Sequence, residues 1–348
     1  MRVRVLGAGI VGLVVADELV RRGHSVEVVD PAPVSGASFA AAGMLSPAAE
    51  VWWGEEEVLR LGFDSLEQWP ALAERCGVRL DTGGTLLVGH DAGDLQEVAR
   101  QADLLARLGR EVVPLEPRAL REREPALGRV AGGVLLPGEG SVDPRAVSAA
   151  LLHALADRVV PAPTSPCEVS VVATGSALPE PWSSLVRGVR GEVLRLRGDD
   201  APRGVVRGWV AGEPIYLVPR GDGRVVVGAT TEEHAGGPVV TAGGVVRLLA
   251  GARTLWPAAD RAEFVEATAR DRPATPDGLP LVGPSGVDGV LLAAGHHRHG
   301  VLLAPLTAQL VADHLEHGLV DPALDPRRFA AHDHPTPVEP SPSGDVPQ

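Results

Sequence analysis

Apolar and polar positions alternate over Arg2–Leu6, with Val3 and Val5 set between Arg2 and Arg4, which predicts a strand with one face in a core. Over residues 13–22 the period lengthens. Leu13, Ala16, Leu19 and Val20 fall on one side of a predicted amphipathic helix, and Gly23 stops it. Residues 25–29 return to alternation and end at Asp30. Further strands are predicted at 169–174, ending at Gly175, and at 191–197, 215–219, 224–229, 267–273 and 290–294, with Gly221-Asp222-Gly223 as a hairpin turn. Acidic and apolar helical patterns fill 55–130. The clearest runs over 92–108, with Asp91 and Gly93 near its start and Gly109 as its stop. Helices are also predicted over 145–155 and up to about 315, with Pro305 tolerated in a first turn.

The turn after the first strand carries Gly7, Gly9 and Gly12 at the spacing G-x-G-x-x-G. Such glycines permit a tight turn, close approach of a pyrophosphate and close packing of helix on strand. The helix start then holds the diphosphate with its unpaired N–H groups. Asp30 lies about 20 residues on, where an acid accepts a hydrogen bond from a ribose hydroxyl. The strand–turn–helix–strand context predicts dinucleotide binding, and the acid favours FAD or NAD over NADP.

Composition narrows the chemistry. The chain has 348 residues, 45% of them hydrophobic, enough for two domains with cores of their own. A net charge of −13 argues against a nucleic-acid partner. No apolar run is long enough to cross a membrane. The chain starts directly on a strand, without a signal-peptide pattern, and the two cysteines, Cys76 and Cys167, form no disulfide framework or zinc spacing. A cytoplasmic protein is expected. All 32 basic residues are arginine, which excludes Schiff-base lysine chemistry and a P-loop.

Residues 31–45 are rich in small side chains, as a loop lying close to a flat ligand requires. Together with the glycine turn and Asp30, Gly36-Ala37-Ser38 and Ala42-Gly43-Met44-Leu45 resemble the start of the glycine oxidase family, in the D-amino acid oxidase group of flavoproteins. The segments Gly138-Glu139-Gly140-Ser141-Val142-Asp143-Pro144, Ile215-Tyr216-Leu217-Val218-Pro219-Arg220, Gly228-Ala229-Thr230-Thr231 and 272–283 extend the resemblance over most of residues 1–330. It implies non-covalent FAD, held by Gly7, Gly9, Ile10, Val11, Gly12, Asp30, Pro31, Ala37, Ser38, Ala42, Gly43, Met44, Gly175, Gly295, His296, His297, Arg298, His299, Gly300, Val301 and Leu302. Arg272, in an arginine-proline segment, takes the place of the family's carboxylate-binding arginine, and Arg270 does not. Tyr216 matches the active-site tyrosine, and Met44 and Thr231 line the pocket. Three of the four residues from His296 to His299 are histidine, but consecutive positions do not converge on one ion, so no metal is expected. His299 stands where the family has asparagine.

The resemblance implies an α/β fold, α+β overall: a Rossmann-like FAD-binding domain and a discontinuous antiparallel-sheet substrate domain. The first is expected from 1–50, 138–188 and 268–330, the second from 51–137 and 189–267, and an unfolded tail from 331–348. The chain departs from the family at the proline-rich stretch 156–168, which is too short for the small ribbon that usually touches the adenine. The implied reaction is oxidation of glycine, sarcosine or small D-amino acids to an imine, with O2 reduced to H2O2. Arg272 clamps the carboxylate, Tyr216 donates a second hydrogen bond and Arg298 closes the site. The amine drives loss of the α-hydrogen, so no side-chain base is needed. A helix start following 295–305 would face the flavin. Supply of glycine imine for the thiazole of thiamine also follows from the resemblance. An NAD-dependent dehydrogenase, a general D-amino acid oxidase and an inactive flavin-binding subunit remain alternatives, and a homo-oligomer is compatible with the sequence.

Overall fold

In a computed structural model of the chain, residues 1–234 and 236–332 are described. Most of the expected tail, from residue 333 on, lies outside them. The last turn, Pro326–His332, runs two residues into that stretch.

Strand Arg2–Leu6 buries Val3 and Val5 and sits inside a six-stranded sheet. It runs parallel to Ser25–Val29 on one side and to Val169–Val172 on the other, so that Val5 lies between Val28 and Val171 in one apolar row. Val290–Ala294 continues the sheet in parallel, and Leu281–Pro284 closes that edge antiparallel. Helices Ile10–Arg21 and Ala304–His317 pack on each other and on these strands, with Leu13, Leu19, Ala308 and Val311 in the shared core. The first helix begins three residues before its amphipathic pattern becomes visible. Its opening N–H groups need no intrahelical partner, so the glycine turn feeds straight into it.

The stretch 156–168 contributes only a turn, Ala156–Arg158, and the two-residue edge strand Val159–Val160, parallel to Val28 and Val29. Among the described residues it forms no ribbon, as its length predicts.

An eight-stranded sheet carries the rest, in the order Glu263–Ala274, Arg187–Arg197, Arg224–Gly228, Glu213–Pro219, Val205–Val210, Thr85–Gly89, Gly132–Leu136 and Val113–Leu115. Alternation gives it two faces. Leu194, Leu217, Val225 and Val227 pack with Leu248, Leu255 and Trp256 on the side of helix Ala242–Leu255. Val193, Val205, Val218 and Val226 face the other way, against Ala40, Ala42 and Met44. Two strands exceed their expected lengths: Arg187–Arg197 and Glu263–Ala274 pair along nearly their whole extent. Their added ends hold Arg187, Arg190, Glu263 and Glu266, so an apolar pattern does not reveal them. Thr85–Gly89 was not expected at all. It is buried on both faces, so its alternation is absent.

A three-stranded antiparallel sheet of Met44–Leu45, Gly140–Val142 and Leu80–Asp81 joins the two larger ones.

Candidate active site

One cavity, of about 690 Å³, runs from the glycine turn to the inner face of the eight-stranded sheet. At the first end lie Gly7, Gly9, Ile10, Val11, Asp30 and Pro31. The Cβ of any other residue at position 7 would stand 2.4 Å from the Ala173 carbonyl oxygen, and Gly7 has φ +105°, so the turn demands glycine. Gly9 caps the first helix in an extended conformation without a side-chain cap. Asp30 fastens the turn: Oδ2 accepts from the Ala8 N–H at 2.7 Å and Oδ1 from the Ala32 N–H at 2.8 Å. The Ser38 hydroxyl accepts from the Ile10 N–H at 2.9 Å, so the small-residue loop is tied onto the helix start. Thr174, also on the wall, has an Oγ1 with no partner among the described residues. A helix start whose N-cap residue has no side chain, a backbone open enough for close approach and an unsatisfied hydroxyl fit a bound dinucleotide.

Ala37, Ser38, Ala42, Gly43, Met44 and Gly175 also line the cavity. At the far end it gathers Tyr216, Thr231, Arg272, His296, His297, Arg298, Gly300 and Val301. Arg272 reaches across to Gly191, where an added Cβ would lie 2.3 Å from its guanidinium carbon. Its Nη1 donates to the Thr230 carbonyl at 3.1 Å and weakly to that of Arg190 at 3.4 Å. No carboxylate pairs with Arg272 among the described residues, and burial lowers its pKa from the usual guanidinium value. The Tyr216 ring lies over Gly228, where a Cβ would come within 2.3 Å of its hydroxyl, and burial raises the phenol's pKa. These two glycines clear the floor on which the two side chains rest.

Arg298 donates to the Glu50 carbonyl at 2.9 Å and to Glu55 Oε2 at 2.5 Å. His296 Nε2 bonds Thr307 Oγ1 at 2.8 Å. Burial pushes His296 down to about 4, and burial with the neighbouring Arg298 does the same to His297, so both are neutral near pH 7. Among the described residues no cluster of His, Cys, Asp or Glu is arranged for a metal ion.

Four residues expected against the cofactor do not line the cavity. A Cβ at Gly12 would stand 2.0 Å from the Gly7 carbonyl oxygen, so this glycine lets helix and turn pack. Gly295 makes room for the Thr275 methyl, 2.5 Å from a Cβ there. His299 is buried, with Nδ1 3.9 Å from Glu50 Oε2. Leu302 packs in the core and its carbonyl accepts from Ser65 and Trp69. The expected helix start, with Pro305 in its first turn, does not line the cavity. The turn His297–His299 meets the cavity, and the helix begins only at Ala304.

Arg270 lines the cavity too, beside the loop, with Nε donating to the Ser35 carbonyl at 2.7 Å. Sequence reasoning also missed Glu50, Trp52 and Arg207 on the wall. Arg207 had a signal, a lone charge in the otherwise uncharged strand Val205–Val210. Glu50 and Trp52 had none, because their place depends on how 46–55 folds back over the large sheet.

The family model described as DAO, FAD dependent oxidoreductase, matches residues 2–162 and 156–314. A putative thiamine biosynthesis oxidoreductase ThiO of Rhizobium etli is 37% identical over 90% of this chain and 96% of its own length. The crystal structure of glycine oxidase from Geobacillus kaustophilus superimposes with a TM-score of 0.81 at 29% identity, covering 96% of this chain and 100% of that one. The bifunctional protein ThiO/ThiG of Trichormus variabilis is 31% identical over 92% of this chain, which spans only 53% of that protein, about half its length.

Proposed function

Because the chain belongs to the DAO family of FAD dependent oxidoreductases, we propose that it oxidises glycine, and with it sarcosine and small D-amino acids, to the imine. When bound, FAD accepts the two electrons of the substrate's α C–H bond and passes them to O2, giving H2O2. Water then converts the imine of glycine to glyoxylate and ammonia unless another reaction consumes it, such as formation of the thiazole of thiamine. The names of the relatives support that last role.

The observation that carries the reading is a buried guanidinium, Arg272, beside a phenol in a cavity whose other end suits a dinucleotide. A substrate carboxylate accepts two parallel N–H···O bonds from Arg272 and a third from Tyr216, which fixes its position and plane. Arg298, held by Glu50 and Glu55, closes the same end. Neutral His296 and His297 add no charge there. The residues bind and orient, and the substrate's own amine lone pair drives the electrons out, so rate comes from positioning and electrostatics.

FAD is bound non-covalently in this reading, supported by the absence of Cys76 and Cys167 from the cavity wall. In this reading 1–50, 138–188 and 268–330 form the FAD-binding domain, which also lends Arg272 and Arg298 to the substrate end, and 51–137 and 189–267 form the substrate domain. The enzyme works in the cytoplasm without nucleic acid or membrane. No helix among the described residues is long and apolar enough to cross one.

Peroxide formation by the purified yellow protein, measured on glycine, sarcosine, D-alanine, D-phenylalanine and L-alanine, tests the proposal. Glycine or sarcosine should lead, D-alanine should be weak and L-alanine should fail, since its side chain takes the place of the reacting hydrogen. A highest kcat/KM for D-phenylalanine would make this a general D-amino acid oxidase.

A further inference from the structure

Arg207 is 8% exposed, lines the cavity and has no role in the reading above. Its Nη1 makes a long contact, 3.5 Å, to Glu50 Oε1, and its Nε has no partner among the described residues. A buried guanidinium left this poorly satisfied is costly unless a ligand completes it. Arg298 is already held by two good acceptors. Arg207 is directly across the strand pair from Tyr216, and the Tyr216 hydroxyl lies over Gly228. Gly228 is paired with Val193, two residues from the Gly191 that carries Arg272. Tyr216 therefore stands between two cationic side chains on one face of the sheet, with Glu50 the acid nearest Arg207.

We propose that Arg207 receives a second anionic group of the substrate, so that the site takes small amines bearing two carboxylates, one on Arg272 and one on Arg207. This rests on the amine oxidase reading and extends its substrate class. The second carboxylate displaces Glu50 from its long contact and supplies the acceptors Arg207 lacks. Because Glu50 competes for the same guanidinium, glycine itself leaves the pair undisturbed and is still accepted.

The test compares matched pairs on the FAD-loaded enzyme: iminodiacetate against its monoamide, and D-aspartate against D-asparagine. The charged member of at least one pair should have a kcat/KM about tenfold to a hundredfold higher, as a charge-assisted bond supplies. Arg207→Gln should bring that ratio to near one, Arg207→Lys should keep part of it, and Glu50→Gln should raise it. Binding is read separately, from the flavin absorbance change on titration with thiodiacetate and with (methylthio)acetate, neither of which has an amine to oxidise. Thiodiacetate should bind tighter to the unaltered enzyme by a similar factor. Ratios at or below one for both substrate pairs, or for the two thioethers, overturn the proposal. So does an unchanged ratio in Arg207→Gln. Failure of every amine to yield peroxide would sink the oxidase reading instead, and the thioether titration would still decide the role of Arg207.

Discussion

The guanidinium of Arg272 can lie flat only because position 191 has no side chain. Lysine there keeps the charge but loses the planar two-point contact. Arg272→Lys should retain FAD and lose roughly 1.5–3 kcal/mol of transition-state binding, about tenfold to a hundredfold in kcat/KM for glycine. A near-normal value would show that Arg272 is not the clamp. Gly191→Ala probes the same contact from below. The added methyl would stand 2.3 Å from the guanidinium carbon, the far end of a flexible side chain, so the arginine moves rather than the fold. Activity on glycine should fall by about the same factor with little change in Tm, and an equal loss of both would point to a structural role for Gly191.

At the scale of elements, the short helix Pro47–Glu50 presents Glu50 to the cavity, and a buried acid supports it from behind. Glu139 Oε1 accepts from the Ala48 N–H at 2.5 Å and the Ala49 N–H at 3.2 Å, while Oε2 has no partner among the described residues. Burial pushes this carboxyl up to about 8, from 4.5 in an unfolded chain. Between those values the unfolded state releases the proton and the native state keeps it, so unfolding is favoured as pH rises. The cost grows by about 1.4 kcal/mol per pH unit across that window and is absent below it. Glu139→Gln keeps an acceptor for both N–H groups and cannot ionise. The variant should match the parent near pH 4.5 and exceed it in Tm near pH 8. A Tm difference that does not vary with pH would mean that Glu139 is already ionised in the native protein.

At the scale of the molecule, the cavity lies between the mainly parallel six-stranded sheet and the eight-stranded one, antiparallel except where Val205–Val210 runs parallel to Thr85–Gly89, with separate cores behind them. A cofactor filling it is bound by the native state and not by the unfolded chain, so it stabilises by mass action. FAD at 100 times its Kd should add about 2.7 kcal/mol, read as a rise in Tm of the apoprotein on titration. Acid precipitation should leave the flavin in the supernatant, and colour retained in the pellet would contradict non-covalent binding. The short 156–168 stretch pairs with Val28 and Val29, next to Asp30 at the glycine-turn end of the cavity, so its shortness should show in the Kd for FAD rather than in turnover.

What was legible in the chain was what short-range physics dictates. Period-2 alternation announced the strand Arg2–Leu6, a 3.6 period most of the helix Ile10–Arg21, and Gly7 and Gly9 a turn only glycine can make. The segments 215–220 and 272–283 marked Tyr216 and Arg272 through their resemblance to the family, because a local motif can be read without knowledge of the fold. Tertiary structure alone decided which far-separated residues share the cavity. Glu50, Trp52 and Arg207 come from segments about 150 residues apart and meet because the Met44–Leu45 ribbon folds the loop over the large sheet. The reverse held for Gly295, His299 and Leu302, whose motif placed them near the cofactor, while packing set Gly295 against Thr275 and buried His299 and Leu302 away from the cavity. A motif records spacing along the chain, but the direction of a side chain is set by the neighbours that burial brings to it.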